Sequence, residues 1–96
     1  MDKIIEAHDL GHLLPHLEEM CNKLDNAAKT YFYAMRAEES SPSELQDVRD
    51  ALVSAIADVN VAAEAARRKM GISCDEIAEV EDAKIERWRR RVENGI

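Results

Sequence analysis

The chain predicts an all-α fold: an antiparallel bundle of three main helices behind a short N-terminal helix, completed by oligomerisation. Three observations lead there. The composition is aliphatic and little punctuated, with 46% hydrophobic residues, 4% aromatic ones, 3 glycines and 2 prolines among 96 residues, which is the profile of helices packed on helices. Apolar positions recur at spacings of three and four, the helical period. Start and stop signals cut the chain into helices at Ser41 to Glu44, at Gly71 and at Ser73 to Glu76. A chain this short buries only a modest fraction of its surface, so a second copy is expected to complete the core.

The elements follow in order. Residues 2–14 read as a short helix interrupted by Gly11 and closed by Pro15. The first long helix is expected from about Leu17 to Arg36, with a narrow stripe of Leu17, Cys21, Leu24, Ala28, Tyr31 and Met35 suited to a bundle. The segment AEESSPSE breaks it, and Ser41, Pro42 and Glu44 supply the N-cap, first-turn proline and returning carboxylate of a second helix. Its core stripe is Leu45, Val48, Leu52, Ala55 or Ile56, Val59, Ala62, Ala66 and Met70, with Gly71 as a left-handed C-cap. About 28 residues at 1.5 Å each span roughly 40 Å, more than one small core covers, so this helix is expected to cross a neighbouring subunit. Ser73 and Glu76 then form a second capping box, opening a third helix through Ile77, Val80 or Glu81, Ile85, Trp88 and Val92. No repeat, linker or low-complexity tract divides residues 1–96, which read as one domain.

Charge narrows the functional classes. A formal net charge of −7 argues against binding duplex DNA or RNA, because phosphate contact normally needs a basic face. Cys21 and Cys74 do not make a disulfide framework, so a reducing cytoplasm is expected. No apolar run approaches the roughly 20 residues of a membrane span, and the opening MDKIIEAHDL carries no signal-peptide pattern.

Several constellations carry chemistry. His8, His12 and His16 fall four residues apart, the spacing at which two imidazoles share a helix face and a metal. Gly11 and Pro15 interrupt that span, however, so surface histidines are the expected outcome. Neither thiol has the surroundings of a nucleophile, and both read as small core residues. Asp58 stands alone in an alanine and valine seam within SAIADVNVAAEAARRKMGIS. Glu18 and Glu19 lie near a helix start, where acids suit the dipole. Arg87, Arg89, Arg90 and Arg91 lie near a helix end, which cations favour, and a solvated charged face is their default. Trp88 and Tyr31 lie on apolar stripes, where core packing competes with stacking on a base.

The order Ile56-Ala57-Asp58-Val59, an apolar helix, then Met70-Gly71-Ile72 with an acidic helix start resembles the MazG-like all-α nucleoside triphosphate pyrophosphohydrolases. EEMCNKLDNAAKTYFYAMR is similar to that family's first helix, and EDAKIERWRRR to the basic third helix that closes its site, so the likeness covers about Leu17 to Val92. The resemblance implies Mg²⁺ held by E-x-x-E on the first helix and E-x-x-D on the second, since residues three apart point at one ion. This chain departs from both. The second motif reads Ala55-Ile56-Ala57-Asp58, and the first reads either Met20 and Lys23 or Glu19 and Asn22, depending on register. Asn60 also stands where many phage-type relatives carry another acid.

Glu19 and Asp58 are therefore an incomplete metal set, too few for a hard cation that needs several anionic oxygens. Lys23, Lys84, Arg87 and Arg91 become the candidates for phosphate, with Lys84 matching a lysine that the family places there. The expectation is a dimer or tetramer that binds or sequesters a nucleotide-like ligand or a protein partner without hydrolysis, as suits a phage or mobile-element protein blocking a host factor. An active Mg²⁺-dependent pyrophosphohydrolase using Glu18 or Glu19 and Asp58 with helpers such as Asp25 or Glu44, and a purely structural helical module, are the competing expectations; Glu44 and Asp47 also spell E-x-x-D, but the spacing to Gly71 favours Asp58.

Overall fold

The computed structural model describes residues 1–95 and contains four helices: α1 (Asp2–Ala7), α2 (Leu10–Arg36), α3 (Pro42–Lys69) and α4 (Cys74–Glu93). The all-α expectation holds, and no strand occurs among the described residues. The two long helices pack together as an antiparallel hairpin closed by residues 37–41.

Local chemistry explains where each helix starts and stops. Asp9 is the N-cap of α2, its carboxylate accepting from the backbone N–H of His12. That cap outweighs the two breakers behind it. Gly11 lies in the first turn, where few N–H groups need an intrahelical partner, and Pro15 sits inside α2 without ending it. The first long helix thus begins at Leu10 rather than about Leu17. At α3 the full capping box forms: Ser41 Oγ accepts from the Glu44 N–H, and Glu44 accepts from the Ser41 N–H. Gly71 ends the helix at φ +74°, and the Ile72 and Gly71 N–H groups donate to the carbonyls of Arg67 and Arg68, the Schellman arrangement. Ser73 caps α4 through the Glu76 N–H.

The hairpin seam corrects the expected stripe. Along α2 the buried and half-buried positions are Leu10, Leu13, Leu17, Met20, Leu24, Ala27, Tyr31 and Ala34, a strict alternation of three and four. Cys21 and Ala28 are exposed and Met35 is 59% exposed. The two alternations share Leu17, Leu24 and Tyr31; Leu13 against Ala65 and Ala66 fixes which one faces α3. On α3, Ala55 rather than Ile56 is buried, and Met70 is exposed. Neither cysteine is a core residue; both are exposed and free. Because α2 has 27 residues and α3 has 28, α2 covers the long helix along its length, and no neighbouring subunit is needed for that.

Short α1 is too small to stand alone and is held by the end of α3. Lys69 Nζ donates to the Ile5 carbonyl at 2.8 Å, Arg68 pairs with Asp2 at 3.3 Å, and Met1 packs beside Leu13 and Ala65. Helix α4 packs against none of the other three, so within one chain the bundle has two main helices and not three. All its apolar stripe is exposed, from Ile77 and Val80 to Ile85, Trp88 and Val92.

Candidate functional site

The sequence places cations at the end of α4, and the structure sorts them into two sets. Arg89 and Arg90 turn toward acids of their own helix: Arg89 pairs with Glu86 and Glu93, and Arg90 Nε reaches Glu86 at 3.3 Å. The Arg89 guanidinium donates to Glu86 and holds its carboxyl at about 2, well below the usual carboxylate value, with Arg90 adding to the effect. The same bonds hold Arg89 more firmly protonated.

Lys84, Arg87 and Arg91 form the other set. Spaced three and four apart, they share one face of α4, and none has an ion-pair partner among the described residues. The pairing of Lys84 with Glu81 that the sequence allows does not occur. Together with Trp88 they line one shallow groove. Trp88 also borders an apolar groove with Ile85 and Val92, so its indole separates a cationic strip from an apolar one. At 71% exposed, Trp88 is not a core residue of this chain. Tyr31, by contrast, is half-buried in the hairpin seam.

The remaining candidates lie elsewhere. Lys23 and Glu19 are exposed on α2, one turn apart. Because α4 does not pack on α2, a single chain does not bring Lys23 to Lys84, Arg87 and Arg91. Asp58 is half-buried on α3. Counting back along the antiparallel pair from Leu13 against Ala65 places Asp58 level with Met20.

Those placements test the Mg²⁺ set that the resemblance implies. Ala55, at the position of the missing Glu, is 6% exposed in the hairpin seam, and Met20, in one register of the first motif, is equally buried. A carboxylate at either position would enter an apolar seam at heavy desolvation cost. Among the described residues no three His, Cys, Asp or Glu side chains form a group able to hold a metal ion. The donors present do not fit Mg²⁺, and no hydrolytic step is assigned through it.

The three histidines are exposed. The structure nonetheless removes the objection from Gly11 and Pro15, because α2 runs unbroken through both, leaving His12 and His16 on one helical face. His8, His12 and His16 line one groove with Ile4 and Leu13. Asp9 Oδ1 lies 3.0 Å from His12 Nδ1, and that hydrogen bond is the main reason its carboxyl is held below the usual range. Sequence reasoning missed this pair, although an acid three residues before a histidine was available as its signal. No helix among the described residues is long and apolar enough to cross a membrane. No protein-family profile, curated relative or solved structure matches the chain.

Proposed function

We propose that the protein is a homo-oligomer that binds a nucleotide-like, phosphate-bearing ligand without hydrolysing it, in a reducing cytoplasm. The observation that carries this reading is the face of α4, where Lys84, Arg87 and Arg91 stand without ion-pair partners among the described residues beside an exposed indole. Cations left uncompensated in a chain of net charge −7 attract an anion locally despite the overall field, and a guanidinium presents paired donors to phosphate oxygens. An indole beside them offers a base a stacking surface. The donor set argues against turnover, because alanine and methionine occupy seam positions where the resemblance to MazG-like enzymes implies carboxylates. Two exposed thiols suit a reducing compartment.

Oligomerisation rests on surface area. The chain exposes 7568 Å², whereas a compact monomer of this length exposes about 5,500 Å². The excess of about 2,000 Å² matches one protomer's share of a large obligate interface. Its radius of gyration of 17.1 Å also exceeds the roughly 12.5 Å of a compact domain. Exposed Phe32 and Met35 on α2, Val53 and Ile56 on α3 and the α4 stripe supply apolar surface.

The chain has a single tryptophan, Trp88, so its fluorescence reports on the site directly. Titration with nucleoside mono-, di- and triphosphates and cyclic nucleotides, with products assayed after incubation with Mg²⁺, is expected to give saturable quenching and unchanged ligand. Release of monophosphate and pyrophosphate, abolished by Asp58→Ala, supports the hydrolase instead. Absence of any response across the panel supports a protein-binding or structural module.

A further inference from the structure

We infer that the apolar stripe of α4 is covered by α4 of a second copy, packed antiparallel. This rests on the homo-oligomer read above and names the surface that makes it. Helix α4 packs on none of the other three helices, and Ile77, Ile85, Trp88 and Val92 are exposed along it. At about 100° per residue, these four side chains fall within roughly 80° of one another, a stripe narrow enough for a single partner helix.

Charge selects the occupant and its direction. Residues 74–83 carry five acids, Asp75, Glu76, Glu79, Glu81 and Asp82, and no lysine or arginine; residues 84–93 carry five cations against two acids. The helix dipole favours such a bias only in the first and last turns, so it does not account for a division that runs the length of α4. A second α4 running antiparallel lays acidic half on basic half at both ends, whereas a parallel one sets like charge on like. Glu81 sharpens the choice, because it lies within the stripe, roughly 40° from both Ile77 and Ile85. In a parallel pair it faces Glu81 of the other copy; in an antiparallel pair it faces the basic half. The cationic strip of Lys84, Arg87 and Arg91 starts at the middle of α4 and runs along one edge of the stripe. A twofold axis through the middle of the pair therefore brings the Lys84 ends of both strips together on one side, so that two copies share the phosphate-binding face.

Cys74, exposed at the first residue of α4, is a reporter of direction already in the chain. It lies about 10 residues from the middle of the helix, so two Cys74 thiols are roughly 30 Å apart in an antiparallel pair and side by side in a parallel one. The test treats the Cys21→Ser chain, with and without Val92→Cys, with a short bismaleimide and maps the linked peptides by mass spectrometry. Covalent dimer is expected only with Val92→Cys, through a 74-to-92 linkage between copies. In sedimentation equilibrium Glu81→Lys, at an exposed position, is expected to weaken self-association about tenfold or more, because it turns a lysine toward the basic half; in a parallel pair it exchanges one like-charge contact for another. Circular dichroism checks that the variant keeps its helix content. Linkage of 74 to 74 or of 92 to 92, or an oligomer indifferent to Glu81→Lys, overturns the antiparallel pair and leaves the homo-oligomer standing. A chain that sediments as a monomer at every concentration overturns both.

Discussion

Lys84, Arg87 and Arg91 differ from Arg89 and Arg90 by roughly 60–160° around one helix, and that difference decides which are available to a ligand. Arg89 and Arg90 are compensated by Glu86 and Glu93. Arg87→Glu is therefore expected to weaken nucleotide binding about tenfold or more, the value of a charge-assisted hydrogen bond of about 1.5–3 kcal/mol, while Arg89→Gln leaves it nearly unchanged; Trp88 quenching measures both. Glu86 carries a separate prediction. Its folded-state pKa lies near 2, below the ordinary value of 4.5, so its pairing is complete above pH 4.5 and is lost as pH falls toward 2. The side-chain carboxyl resonance of Glu86 should titrate near 2, and Arg89→Gln should return it toward the ordinary range. Gly71, at φ +74°, holds a left-handed conformation that disfavours any side chain, and Gly71→Ala is expected to cost about 1–2 kcal/mol in urea denaturation.

Helices were legible where capping chemistry is local. Ser41, Glu44, Gly71 and Ser73 announce the boundaries of α3 and the start of α4, and the structure agrees at each. The start of α2 was not legible, because Gly11 and Pro15 read as breakers while Asp9, the residue that overrides them, looks like any surface acid. Its seam was ambiguous for a different reason: Leu17, Leu24 and Tyr31 belong to both possible stripes, and only contact with α3 separates Met20 from Cys21. At this scale Ser41→Ala is expected to lower stability by about 1 kcal/mol through loss of the cap. Pro15→Ala should raise it, because the backbone N–H it restores completes the ladder of α2. Thermal unfolding measured at fixed protein concentration reads both.

The described residues form an alanine-rich hairpin with a clamped N-terminal helix and a fourth helix that packs on none of the other three. Among the described residues four of the six buried core residues are alanines, which bury little apolar area each. Sequence patterning showed that α4 has an apolar face but carried no information on what covers it, since the period of a helix is the same whether its partner lies in the same chain or another. Sedimentation is expected to give a dimer or tetramer, with a melting temperature that rises with protein concentration, and Val92→Glu on the exposed stripe is expected to shift it toward monomer. The site is legible to the same extent: the cations of α4 could be named from the sequence, whereas which of them lack acidic partners among the described residues depends on side-chain placement that the sequence does not specify. The most direct test of the account is the fluorescence of Trp88 titrated with nucleoside phosphates in the presence of Mg²⁺. Saturable quenching whose midpoint Arg87→Glu shifts about tenfold or more to higher ligand concentration, with the nucleotide recovered intact, is the predicted result; an unchanged signal at millimolar ligand, or a nucleotide cleaved to monophosphate and pyrophosphate, contradicts it.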